Sequence, residues 1–207
     1  MRGLAGNLSD LTVASSQYDI LLCSETLVSD MWLVSELLVP GFGGPVFLCR
    51  GKMPRARGMA AYVRDGYGSS RQPKFDCGCS EMLFFIVCGA RQNLYVFSLY
   101  HNPDLDDCIF HCLLESMAAV QGEDSRASFL FVGDLNGHHR EWLGSTNTNR
   151  HGVAAFDFAN VSGCDQLVVD PTHAHGGTLA NKGSTGTSCR ALAQQGNTCS
   201  TREHPDY

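Results

Sequence analysis

The sequence predicts a layered α/β fold with mixed sheets, and three observations predict it. Short, fully apolar runs of buried-strand length recur along the chain. Two of them, residues 82–88 and 94–99, are separated only by the polar Ala90-Arg91-Gln92-Asn93 and read as a hairpin. Others are separated by amphipathic helices. Hairpins and helical crossovers together imply sheets that are not purely parallel.

The elements follow in order. Residues 18–24 (YDILLCS) form a buried-strand run. Residues 26–38 place Leu27, Met31, Val34, Leu37 and Leu38 at helical spacing, and Pro40-Gly41 ends that helix. Residues 58–64 (GMAAYVR) are a strand candidate, followed by the hairpin. Residues 104–121 are the strongest helix. Leu105, Ile109, Cys112, Leu113, Met117 and Val120 form one stripe, and Asp104, Asp106 and Asp107 open it on the side the helix dipole favours. Residues 129–132 are an apolar strand that runs into Gly133-Asp134-Leu135-Asn136. Residues 153–161 are a helix with Phe156 and Ala159 inward, and residues 167–169 a strand closed by Pro171.

The chain has 207 residues, which suits one domain, and 43% hydrophobic content, which excludes wholesale disorder. No apolar run approaches the ~18 residues of a membrane span, and the first ten residues lack the apolar core of a signal peptide. No membrane partner is expected. Past residue 180 the composition changes. Residues 181–207 hold one Leu and no Ile, Val, Phe, Met or Trp. Such a segment buries too little apolar surface to offset its ordering entropy. The expected division is therefore a domain over residues 1–180 and a disordered tail over 181–207.

The formal charge is 15 basic minus 21 acidic residues, or −6, so any nucleic-acid contact must be local. Arg50, Lys52, Arg55, Arg57, Arg64, Arg71 and Lys74 cluster within 25 residues with only Asp65 opposing them. This stretch is either a solvated face or a DNA-contacting segment. The ten cysteines include no C-x2-C pair, which argues against a cysteine zinc site, and free thiols are expected.

Three strand ends carry polar groups. Asp134 and Asn136 follow the strand at 129–132. If the strand persists they point to one side, where Asp accepts a proton or binds a cation and Asn donates to a phosphate oxygen. A plain turn is the competing reading. Glu25 ends the first strand and suits a hard cation such as Mg2+, or else acts as a helix N-terminal acid. Tyr100 ends the run LYVFSLY as a phosphate ligand or an amphipathic edge residue. Convergence of all three at one sheet edge matches metal-assisted phosphodiester hydrolysis.

The segments YDILLCSET, RGMAAYVRDG, LYVFSLYHNPD, FLFVGDLNGHHREWLGS, NRHGVAAFDF and LVVDPTHAHGGTL occur in this order over residues 3–179. In them the chain resembles the endonuclease/exonuclease/phosphatase family, and specifically the endonuclease domain of LINE-type (non-LTR) retrotransposons. The resemblance implies a four-layer α/β sandwich and a Mg2+-dependent nick in DNA. It implies that Glu25 binds the metal, Tyr100 lies near the scissile phosphate, Asp134 activates the attacking water and Asn136 orients substrate. His138 and His139 match the family block without an implied catalytic role.

The departures are specific. Met1 falls just after the position of the family's N-terminal Asn, Ala180 stands where the family has Asp, and no Ser-Asp-His triplet occurs. The expectation is an incomplete sandwich, with first and last strands missing, and weak or absent activity. Two alternatives stand beside it: a catalytically dead DNA-binding or non-functional fragment, and a phosphatase or phosphodiesterase of the same superfold. An intracellular location is expected, nuclear if the chain acts on DNA.

Overall fold

The computed structural model describes residues 4–28, 33–48, 58–76, 81–102, 104, 107–167 and 190–194. In chain order the helices and strands begin with α1 (Leu8–Ala14), β1 (Ile20–Ser24), β2 (Val46–Leu48), β3 (Met59–Val63), β4 (Gly68–Arg71), β5 (Glu81–Cys88) and β6 (Leu94–Tyr100). They continue with α2 (Cys108–Glu123), β7 (Ser128–Asp134), α3 (Arg140–Leu143), α4 (Arg150–Ser162), β8 (Asp165–Gln166) and β9 (Arg190–Gln194). Three strands form an antiparallel sheet in the order β1-β3-β2. Six form a second sheet in the order β4-β5-β6-β7-β9-β8, in which β6 and β7 are parallel and the other neighbours antiparallel. The mixed sheet expected from the sequence is present.

Alternation of side chains builds the layers. Along β5, Leu83, Phe85 and Val87 face Met59, Ala61 and Val63 of β3, which closes the two sheets on each other. Met82 and Phe84 point the other way and join Phe97, Phe129 and Phe131 under Ile109, Leu113, Met117 and Val120 of α2 and Phe158 of α4. β5 is thus covered on both faces, which is why it reads as an unbroken apolar run. On the outer face of the small sheet, Ala60 and Tyr62 pack with Leu4, Leu37 and Val39, and with the partly buried Leu8 and Leu11 of α1. Burial lifts the Tyr62 hydroxyl far above the usual tyrosine pKa, and that hydroxyl donates to the Leu37 carbonyl at 2.8 Å. The result is four layers: N-terminal helix and turns, small sheet, large sheet, and the pair α2 and α4.

Several elements depart from expectation. The helix expected over 26–38 is a single 3-10 turn, Val34–Leu37, with residues 29–32 outside the described residues. Its Leu37 reaches the core while Val34 and Leu38 stay exposed, so helical spacing there reflected one buried residue rather than a face. In α4 it is Phe158 and Ala155 that face the core with Ala159, whereas Phe156 is half-buried and stacks on His139. The strand expected at 167–169 is the shorter β8 at Asp165–Gln166, with residues 168 and 169 outside the described residues. Within the segment 181–207, expected to lack structure, Arg190–Gln194 form β9 between β7 and β8. Its backbone groups satisfy the far edge of β7, an attraction that needs no apolar side chains. The remainder of that segment lies outside the described residues.

Candidate active site

Strand register gathers the site. Glu81 of β5 lies opposite Tyr100 of β6, and Tyr100 opposite Asp134 of β7. Residues in direct register share a sheet face, so these three side chains form one row at one end of the large sheet. The small sheet is stitched to the same end. Ser24, the last residue of β1, pairs with Met59, and Thr26 N–H donates to the Gly58 carbonyl at 3.1 Å. Gly58 N–H in turn donates to Glu81 Oε2 at 2.8 Å. Glu25, between Ser24 and Thr26, therefore arrives at the end of the sandwich that carries Tyr100 and Asp134. Its φ of 52° is one of three positive values on non-glycine residues among those described, with Leu27 at 55° and Asn136 at 48°. Such conformations persist only where the surroundings hold them. Glu81, buried in this row, was not singled out from the sequence. Its only signal was a carboxylate leading an apolar strand.

The Gly-Asp-x-Asn turn is held differently from the way strand alternation suggests. β7 stops at Asp134, and Asn136 is left-handed rather than extended. Asp134 Oδ1 accepts the Asn136 N–H at 3.0 Å, closing a tight turn. Asn136 Nδ2 donates to the His101 carbonyl at 2.7 Å, and His101 N–H donates to the Asp134 carbonyl at 2.8 Å. The turn chemistry and the site placement are one arrangement. Gly133 is required by proximity: a Cβ there would lie 1.8 Å from the Leu99 carbonyl oxygen of β6.

The segment Asn149-Arg150-His151-Gly152 clamps this turn from the far side. Asn149 caps α4 through Gly152 N–H at 2.8 Å, and the same Oδ1 accepts His138 N–H at 2.9 Å. Asn149 Nδ2 donates to the Asn136 carbonyl at 2.9 Å. Gly152 lets the two backbones touch, since a Cβ there would meet the His138 carbonyl oxygen at 1.9 Å. His139 takes a structural part. Its Nδ1 accepts the Trp142 N–H as the cap of α3, and its ring stacks on Phe156 at 4.7 Å.

A second polar cluster lies directly behind the turn. His101, fully buried one residue past β6, faces His151 in the first turn of α4 and Asp107 just before α2. His101 Nε2 is 3.1 Å from His151 Nδ1, which is 2.5 Å from Asp107 Oδ1. These three residues could hold a metal ion. Burial pushes the His101 imidazole below its usual pKa and His151 adds to that, against the opposing pull of Asp107. Asp107 is one of three aspartates in the sequence just ahead of α2. Its carboxylate makes no capping bond and turns to the histidines instead.

The basic stretch is partly accounted for by the fold. Arg64 pairs with Asp19 at 2.9 Å and donates to the Ser15 and Tyr18 carbonyls. Arg71 pairs with Asp76, and Lys74 with Glu123 at 3.0 Å. Arg50, Lys52, Arg55 and Arg57 lie outside the described residues.

The endonuclease domain of TRAS1, a telomere-specific non-LTR retrotransposon, matches over 91% of this chain and 78% of its own, with a TM-score of 0.59 and 17% identity. An endonuclease/exonuclease/phosphatase family protein from Leptotrichia buccalis matches over 92% and 80%, with a TM-score of 0.50 and 12% identity. The chain shares the fold of these structures. The AP endonuclease LMAP from Leishmania major has a TM-score of 0.59 at 12% identity, and this chain spans 65% of its length. No family model and no curated protein sequence matches the chain.

Proposed function

We propose that this domain is a Mg2+-dependent, DNA-directed endonuclease-like phosphodiester hydrolase with weak activity. The observation that carries the reading is the register row Glu81, Tyr100 and Asp134, joined to the Glu25 turn through the Gly58–Glu81 bond. The donors at this end are carboxylate, phenol and amide oxygens, a set that suits a hard cation and not a soft one. Glu25 would hold the ion beside the row. Mg2+, when bound, would supply charge neutralisation at the phosphoryl oxygens.

The chain's own residues supply the rest. Asp134 is the group to take the proton of the attacking water, and its bond to Asn136 N–H fixes the carboxylate in one orientation. Asn136 is anchored through one amide bond to the His101 carbonyl, which leaves its second N–H geometry defined for a phosphate oxygen. Tyr100, in register with Asp134, would meet the scissile phosphate from the neighbouring strand. Weak activity is the reading that Ala180 supports, since it stands where the resemblance has an aspartate. Loss of one oriented donor or base from such a site costs on the order of 10^2 to 10^4 in rate.

Nicking of supercoiled plasmid, with Mg2+ and with EDTA, tests the reading. The expected result is slow nicking in Mg2+ that vanishes in EDTA and in Asp134→Ala and Glu25→Ala. Nicking that persists at the natural rate in Asp134→Ala would sink the assignment.

A further inference from the structure

We infer that His101, Asp107 and His151 form a binding site for a divalent transition-metal ion of the Zn2+ class, separate from the oxygen-lined end of the sandwich. The three residues come from three elements: the end of β6, the residue before α2, and the first turn of α4. Their ligand atoms converge. The separations are 3.1 Å between the two ring nitrogens, 2.5 Å from His151 Nδ1 to Asp107 Oδ1, and 3.3 Å from His101 Nε2 to the same oxygen. A tetrahedral ion bound at roughly 2.0–2.1 Å has ligand–ligand edges of about 3.3 Å. Two of the three edges already have that length to within a few tenths of an ångström, and the third needs to open by less than about 1 Å.

With Asp107 ionised, protons alone do not satisfy this triangle. A ring nitrogen is either a donor or an acceptor, never both. If both rings donate to Asp107, two N–H groups face each other at 3.1 Å. If His101 donates to His151, the bare His151 nitrogen meets an ionised oxygen at 2.5 Å. If only His151 donates, the bare His101 nitrogen faces that oxygen at 3.3 Å. One cation at the shared point accepts all three lone pairs and removes each conflict.

Two nitrogens and one oxygen select Zn2+, Co2+ or Ni2+ over Mg2+. Asp107 is partly exposed, at 27% of its side chain, so water can reach a fourth ligand position. Arg150 Nε lies 3.4 Å from His151 Nε2 and is itself exposed, so it can turn to solvent when that nitrogen carries the proton. The ion would tie the end of β6 to both helices of the outer layer.

The test uses the full chain stripped with chelator and titrated with Co2+ while its visible absorption is followed. The expected result is one equivalent bound with the intense bands of tetrahedral cobalt and no thiolate charge-transfer band. Those bands should be lost in Asp107→Asn and His151→Asn and kept in Cys108→Ser. X-ray absorption of the wild-type Zn2+ complex gives an answer that needs no variant, with imidazole scattering and no sulfur shell expected. Thermal unfolding should shift upward with Zn2+ in the wild type and not in Asp107→Asn. Absence of Co2+ binding, wild-type binding in Asp107→Asn or in His151→Asn, or a sulfur shell would overturn the inference.

Discussion

Asn149 holds the turn of the candidate site from the N-terminus of α4. Its Oδ1 accepts from Gly152 and His138, and its Nδ2 donates to the Asn136 carbonyl. One side chain thereby caps α4 and fixes the turn that carries Asp134 and Asn136. Helix capping alone is worth about 0.5–2 kcal/mol, and each further bond about 1 kcal/mol. Asn149→Ala is expected to lower unfolding stability by roughly 2–4 kcal/mol, measured by urea denaturation. Asn149→Asp, which keeps the acceptor and loses the donor, should fall between. A change under about 0.5 kcal/mol in Asn149→Ala would show that the clamp is redundant. The segment Asn-Arg-His-Gly was visible in the sequence as part of a family block, yet nothing local told that its Asn reaches back 13 residues.

At the scale of elements, the outer layer is fixed by aromatic packing. Phe131 of β7 stacks on Phe97 at 4.8 Å and meets Phe158 of α4 edge-on at 5.1 Å, and it is 2% exposed. Truncation there leaves a cavity that β7 and α4 cannot close together. Phe131→Ala is expected to destabilise by about 3–5 kcal/mol. Val161→Ala, on the exposed face of the same helix, should change stability by less than about 0.5 kcal/mol. Equal effects in a chemical denaturation series would contradict the placement of α4 on the large sheet. The strands β5, β6 and β7 and the helices α2 and α4 were all legible in sequence, because each buries its own side chains at a fixed period. β4 and β9 were not, since β4 is mostly exposed along its length and β9 comes from a polar segment. Both belong to the sheet through backbone pairing, which leaves little trace in hydropathy.

For the molecule as a whole, charge decides how DNA would be met. With a formal charge of −6 there is no general attraction, and three of the seven clustered basic residues are already engaged with Asp19, Asp76 and Glu123. The Arg64 and Lys74 pairs are exposed and so weak, yet their cations are not spare. Single Arg64→Ala and Lys74→Ala substitutions should therefore change affinity for a short duplex by less than about threefold and leave its salt slope unchanged. If instead each lowers the slope by about one, as loss of a phosphate contact would, then these residues reach DNA and their pairs break on binding. Fluorescence anisotropy over a salt series separates the two outcomes.

Sequence by itself determined the class of the fold, the hairpin β5–β6, the strand leading into Gly-Asp-Leu-Asn and the two covering helices. Each follows from a pattern within one segment: apolar runs covered on both faces, a stripe at helical spacing, glycine where backbones touch. Tertiary structure alone decided which polar groups meet. Glu81 joins Tyr100 and Asp134 through strand register, and the turn after β1 is tied to Glu81 through the backbone of Gly58. His101, Asp107 and His151 converge across 50 residues of sequence because β6, α2 and α4 end at one place. Hydropathy reports whether a side chain is buried. Polar convergence depends on register and on where elements end, and those are set by contacts between segments distant in the chain.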